Sequence, residues 1–205
     1  MSPIKKFLFT FTTTGVVCGI AFLSYFLISS PKVMATKEVK AKLEDTLYIY
    51  LPAGKVVVEM LPETAPKHVE QIKNLVRKGF YNGLSFHRVI EGFMAQGGDP
   101  KGDGTGGSGK NIVAEFSKLS HKRGAVSMAR AQNPNSADSQ FFIVTKDSNF
   151  LDGQYTIWGY VISGMEFVDK LKKGAGDNGM VSNPDKIIKM VIALDEETEN
   201  AKSSK

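Results

Sequence analysis

The sequence predicts a mainly β domain, an antiparallel barrel or a sandwich, behind an apolar amino-terminal segment. Three observations predict it. Short runs of alternating apolar and polar residues recur from Thr46 to Leu194, the period of strands with one buried face. Glycine, proline and asparagine clusters separate these runs, as turns require. Only two stretches carry the 3.6-residue spacing of an amphipathic helix. At 205 residues the chain holds one medium domain plus extra segments, and such a domain buries a sizeable core without staples.

The first 35 residues are a targeting or membrane segment. Lys5 and Lys6 precede Phe7 to Ile28, which is uncharged and mostly apolar. That length suffices for a bilayer-spanning helix and favours an uncleaved anchor, while Val33-Met34-Ala35 offers the compact residues of a signal-peptidase site; both readings stay open. Either way the two lysines stay cytoplasmic and the rest is exported, so the domain is expected outside the cytoplasm, anchored through residues 7–28 or released near Ala35. Cys18, the one cysteine, lies in this segment, which leaves the exported domain without a thiol and suits an oxidising compartment. Val16-Val17 before it are not the small residues of a lipoprotein signal.

Residues 36–45 are rich in lysine and glutamate, lack an apolar stripe and read as a linker. The domain is expected over 46–195. Thr46–Leu51 and Lys55–Leu61 form a strand pair about Pro52-Ala53-Gly54. Thr64-Ala65-Pro66 then supplies a capping hydroxyl and an early proline for a helix whose apolar face is Val69, Ile72, Leu75 and Val76, ended by Gly79. Phe86–Ile90 and Phe93–Gln96 flank Glu91-Gly92 as two short strands. Strict alternation would place Phe86, Arg88 and Ile90 on one side of the first strand and Met94 with Gln96 on one side of the second. Gly124–Arg130, Ser139–Thr145, Thr156–Ile162 and Lys186–Leu194 are further strands, Ser163-Gly164-Met165-Glu166 has capping-box spacing for a second helix, and 196–205 is a charged, frayed tail.

Composition excludes some functions. Three of the 26 basic residues precede Thr36, where no acid occurs, so 23 face 21 acidic ones in the remainder; without a basic stripe there is no footprint for nucleic acid. The glycine-rich stretch Gly104–Asn111 fails as a phosphate-binding loop, because Asn111 replaces the magnesium-binding hydroxyl and no helix start follows. His68, His87 and His121 have no ligand spacing, so no metal is assigned. Ser127 and Ser139 lack a nucleophile context.

Leu84 to Asp99, L-S-F-H-R-V-I-E-G-F-M-A-Q-G-G-D, resembles the signature of the cyclophilin family of peptidyl-prolyl cis-trans isomerases, F-H-R-x-I followed by F-M-x-Q-G-G-D. Gly124–Arg130, Asn135–Ile143, Asn149–Gly153 and Trp158-Gly159 look like the family's later blocks, in its order. The resemblance covers Thr46 to Asp195. It implies a closed eight-stranded antiparallel β-barrel capped by two α-helices, its interior filled by side chains. It also implies a rotamase for X-Pro bonds that uses no cofactor, no metal and no covalent step, with proline-containing polypeptides as partners and a monomeric domain.

By the same resemblance, Arg88 is the catalytic cation, with Phe93 and Gln96 beside it. Met94, Phe142 and Leu151 correspond to the apolar pocket around the proline ring, Gln140 to a glutamine that orients the arginine, and Ala129 and Arg130 to the edge where the peptide lies. Three positions depart from the pattern. Phe150 stands where many eukaryotic members carry tryptophan, which implies weaker cyclosporin inhibition. Tyr155 replaces a pocket histidine, and Arg130 an asparagine. A module that holds proline segments without turning them over is the alternative, disfavoured because Arg88, Phe93, Gln96 and Phe142 are all present.

Overall fold

The computed structural model describes residues 31–176 and 178–204, with side chains from Thr36 onward. The apolar segment expected to anchor or export the chain, Phe7 to Ile28, lies outside the described residues; within them no helix is long and apolar enough to cross a membrane. The chain divides into two compact units, 1–41 and 42–205. What is described of the first is helix α1 (Pro31–Glu44), whose last turn belongs to the second.

The second unit holds β1 (Thr46–Leu51), β2 (Gly54–Met60), α2 (Pro66–Arg77), β3 (Arg88–Ile90), β4 (Met94–Gly97), β5 (Ala125–Met128), β6 (Phe141–Val144), β7 (Ile157–Ser163), α3 (Met165–Asp169), β8 (Lys189–Ile192) and α4 (Ala193–Ser203). Single 3-10 turns at Pro134–Ser136 and Asn149–Leu151 lie between strands. The eight strands form one antiparallel sheet in the order β3-β4-β6-β5-β7-β2-β1-β8.

The closed ladder expected from the resemblance is not continuous: β3 and β8 are its two ends. The seam between them is crossed outside the strands, by a single bridge Ser85↔Lys186 and by Gly83 N to Ile187 O at 2.7 Å and Phe86 N to Asp185 O at 3.0 Å. The physical reason lies in β3. Its outer edge is bonded to another partner, since Val89 N donates to Gly179 O at 2.7 Å and Val181 N to His87 O at 2.9 Å.

One face of the sheet carries the main core. Val89, Ala95, Ile143 and Val126 form a row across four strands, all buried. Phe141 sits among Tyr81, Phe86 and Trp158 in edge-to-face contacts with centroids 5.8 to 6.0 Å apart, an arrangement worth more than its buried area alone. Helix α2 closes one end with Val69, Ile72, Leu75 and Val76. The opposite face carries a second, smaller apolar cluster of Met94, Phe142, Val144, Leu151 and Ile157.

Several local expectations are corrected. Phe86 does not share a face with Arg88: it precedes the strand proper and turns into the core against Phe141. Thr64 does not cap α2. Ala65 is its N-cap, without a side-chain bond, and the carboxylate of Glu115 instead accepts the amides of Lys67 and His68 at 3.1 and 3.0 Å, an anion at the positive end of a helix. The capping box at Ser163 is not formed, because Gly164 is the N-cap at φ +90°. A Cβ there would come within 2.5 Å of Lys55 O, so only glycine fits.

The segments read as linker and frayed tail are helical, in α1 and α4, which makes four α-helices among the described residues. Arg77 donates to Asp195 at 2.8 and 3.2 Å and to Glu44 at 2.7 Å. Lys73 reaches Asp45 at 2.7 Å and Glu44 at 3.2 Å. Both segments thus end on α2 through charge pairing, which carries no apolar periodicity for a sequence reading to find.

Candidate active site

The site follows from strand register. Arg88 opposes Gln96, Gln96 opposes Phe142 and Phe142 opposes Ser127, so these four side chains form one row on the outer face. Over it opens a hollow of about 310 Å³ lined by Arg88, Phe93, Met94, Gln96, Ala129, Arg130, Phe142, Phe150, Leu151 and Tyr155. Ten of the eleven expected residues therefore meet in one place. Gln140, the eleventh, lines an adjoining hollow of about 270 Å³ that shares Gln96, Ala129 and Arg130.

The floor is apolar because Met94, Phe142 and Leu151 belong to the second cluster. Phe93 and the exposed Phe150 form one wall, rings 5.4 Å apart. Tyr155 stands edge-on to Phe142 at 5.8 Å and carries the Arg130 guanidinium over its face at 4.7 Å. That guanidinium acts as a strut, donating to Gln154 O at 2.9 Å, Ala131 O at 2.9 Å and Gln132 O at 3.1 Å. It joins the chain at Ala131-Gln132 to that at Gln154.

Arg88 is half-buried and held from two sides. Its Nε donates to Asn178 O at 2.7 Å and its Nη1 to Gln96 Oε1 at 3.2 Å. Gln96 Nε2 donates in turn to Gln140 Oε1 at 2.9 Å, and Gln140 Nε2 to Gly104 O and Gly106 O at 3.0 and 2.8 Å. The glycine-rich loop is thus ordered. Asp99, only 1% exposed, accepts the amides of Lys101, Asp103 and Gly104. Burial opposes its ionisation, but the amide donors outweigh that and hold its carboxyl below the usual range. Gly106 packs against this carboxylate with no space for a Cβ.

A sequence reading misses the support beneath Phe142. His121, buried, stacks on that ring at 6.2 Å and 14°. Its Nδ1 lies 2.9 Å from Asp152 Oδ1 and its Nε2 3.1 Å from Ser127 Oγ. This Ser-His-Asp row is no hydrolase triad: Ser127 is wholly buried and its hydroxyl donates to Thr156 O at 2.9 Å. The His121 amide, together with the imidazole and Ser120, pulls the Asp152 carboxyl down to about 2. Among the described residues no group of three His, Cys, Asp or Glu side chains is placed to hold a metal.

Comparison with known proteins agrees with this geometry. The family model for cyclophilin type peptidyl-prolyl cis-trans isomerases matches residues 46–192. A probable peptidyl-prolyl cis-trans isomerase of Brucella suis is 56% identical over 165 residues, covering 74% of this chain and 84% of that one. Peptidyl-prolyl cis-trans isomerase B of Bacillus subtilis is 45% identical over 132 residues, 63% of this chain and 92% of that one. Among solved structures, a Cryptosporidium parvum cyclophilin crystallised in the presence of the dipeptide Ala-Pro superimposes with a TM-score of 0.66 at 31% identity, covering 72% of this chain and 98% of that one. With the match spanning the whole sheet and the row of Arg88, Gln96 and Phe142 that lies on it, this chain belongs to the cyclophilin family of peptidyl-prolyl cis-trans isomerases.

Proposed function

We propose that X-Pro bonds rotate in the hollow between Arg88 and Phe142, and that the carrying observation is the tethered guanidinium above an apolar floor. Rotation of a peptide bond costs about 18–20 kcal/mol because the nitrogen lone pair is delocalised into the carbonyl. For proline both isomers are populated, so their exchange limits folding. In the twisted transition state the nitrogen is pyramidal and regains its lone pair. An enzyme gains rate only by binding that state better than the planar ones.

Arg88 can do so. Asn178 and Gln96 each take one of its donors, and the residue lines the hollow. There it donates to the developing lone pair, an interaction the planar amide cannot accept in full. Phe93, Met94, Phe142 and Leu151 grip the ring, Gln96 and Gln140 hold the fork and meet the peptide backbone, and Ala129, Arg130, Phe150 and Tyr155 line the path of the chain. Proline-containing polypeptides are the substrates, in keeping with the Ala-Pro present with the Cryptosporidium relative. The apolar run at Phe7 to Ile28 supports an extracytoplasmic domain that acts as a monomer on exported proteins as they fold. In a protease-coupled prolyl peptide assay the protein should accelerate isomerisation. Arg88→Ala should lose about a hundredfold in kcat/KM with an unchanged melting temperature. Wild-type rates equal to buffer would leave only a proline-binding module.

A further inference from the structure

Arg88 stands on a three-residue strand at the end of the sheet, a poor place from which to aim a long side chain. Fixing an arginine costs rotamer freedom, and a group ordered before substrate arrives does not pay that cost in the reaction. What orders it lies on its open side, in a stretch that resembles nothing catalytic in the sequence. Gly179 O accepts Val89 N and Val181 N donates to His87 O, so the turn brackets the Arg88 backbone, with a further bridge Arg88↔Met180. From this turn Asn178 O takes the Nε–H at 2.7 Å.

The direction of that carbonyl is set locally. Met180 N donates to the Asn178 side-chain Oδ1 at 3.1 Å, which closes an Asx turn. Gly179 is buried at φ +68°, and a Cβ there would overlap Ile90 Cγ1 and approach Val89 O to 3.0 Å. The turn is therefore seated on β3 by a residue that only glycine can supply. Gln96 holds one corner of the fork at a longer 3.2 Å; the carbonyl holds the other.

We propose that the Asn178-Gly179-Met180 turn is a positioning element for catalysis, acting through the Asn178 carbonyl to fix the Arg88 fork before substrate binds. The proposal rests on the isomerase reading. It predicts a kcat effect without a KM effect, because the planar substrate gains little from the fork while the twisted amide depends on its direction.

Asn178→Ala, which removes the Asx acceptor but leaves the main chain, should lower kcat by about tenfold with KM changed less than about twofold. Asn178→Ser, which keeps an uncharged acceptor for Met180 N–H, should restore it. In the wild type, NMR of the Arg88 side chain should show a slowly exchanging Nε–H with a scalar coupling across the bond to the Asn178 carbonyl carbon, and both should weaken in Asn178→Ala. An Nε–H that exchanges as freely as that of a solvated arginine, or an unchanged kcat in a folded Asn178→Ala protein, would overturn the proposal. The wild-type coupling decides the matter even if that variant fails to fold. It also separates the two claims: a protein that shows the coupling but no turnover has lost the isomerase reading and kept the tether.

Discussion

Among the described residues, the side-chain hydrogen bonds of Arg88 go to neutral oxygens, Asn178 O and Gln96 Oε1. A carboxylate partner would orient the guanidinium as well but would spend its charge, whereas neutral acceptors aim it and leave the field for substrate. This division was partly legible in the residues. Gln96 and Gln140 carry side chains that a resemblance can match, so they were found; a main-chain carbonyl leaves no mark, so Asn178 was not. Phe86 shows a second limit, since alternation assumes that a strand has begun, and the chain before Arg88 has not yet entered one. At Phe150, 65% exposed and leaning on Phe93, the wall lacks an indole donor. Phe150→Trp should tighten cyclosporin inhibition by about fivefold, one added hydrogen bond, as read in an inhibition titration. Unchanged potency would show that the donor is not what is missing.

Strands and helices differed in how far the sequence predicted them, and the reason is the force that holds each. All eight strands were visible from short apolar runs between turn residues, alternating in β1 and β2 and continuous in β6, because burial on the sheet selects those residues. Helix α2 was visible from its buried face. Helices α1 and α4 were read as linker and tail because their ends are held to α2 by Glu44, Asp195, Lys73 and Arg77 rather than by an apolar stripe. Such partly exposed pairs contribute little. Arg77→Ala should cost no more than about 1 kcal/mol in denaturant melts, and the loss should shrink as salt screens the pairs. A loss several times larger, or one indifferent to salt, would mean that Arg77 acts by packing instead.

Across the whole molecule the fold separates two apolar clusters by one sheet, the larger for stability and the smaller as the floor of the site. Acid should unfold it in two stages. Burial holds the His68 and His87 imidazoles below their usual range, so the unfolded chain takes up protons that the native one refuses once the pH falls below about 6.5. Stability from these groups is complete above that value and declines as pH drops toward their native pKa values. Asp99, Glu115 and Asp152, held below the ordinary carboxylate range, add a second loss below about pH 4. Melting temperatures should accordingly fall between pH 7 and pH 5, above the range in which Asp99, Glu115 and Asp152 add their loss; a flat profile there would contradict the neutral, buried imidazoles.

The central claim is that an aimed fork, and not charge alone, favours the twisted amide. Arg88→Lys keeps the charge and loses the planar donors that Asn178 and Gln96 orient. Exchange spectroscopy on a saturating prolyl peptide reads its binding and its turnover together. The expected result is an affinity within about twofold of wild type with cis-trans exchange slowed by at least about tenfold. A lysine variant that turned the peptide over at the wild-type rate would contradict the account.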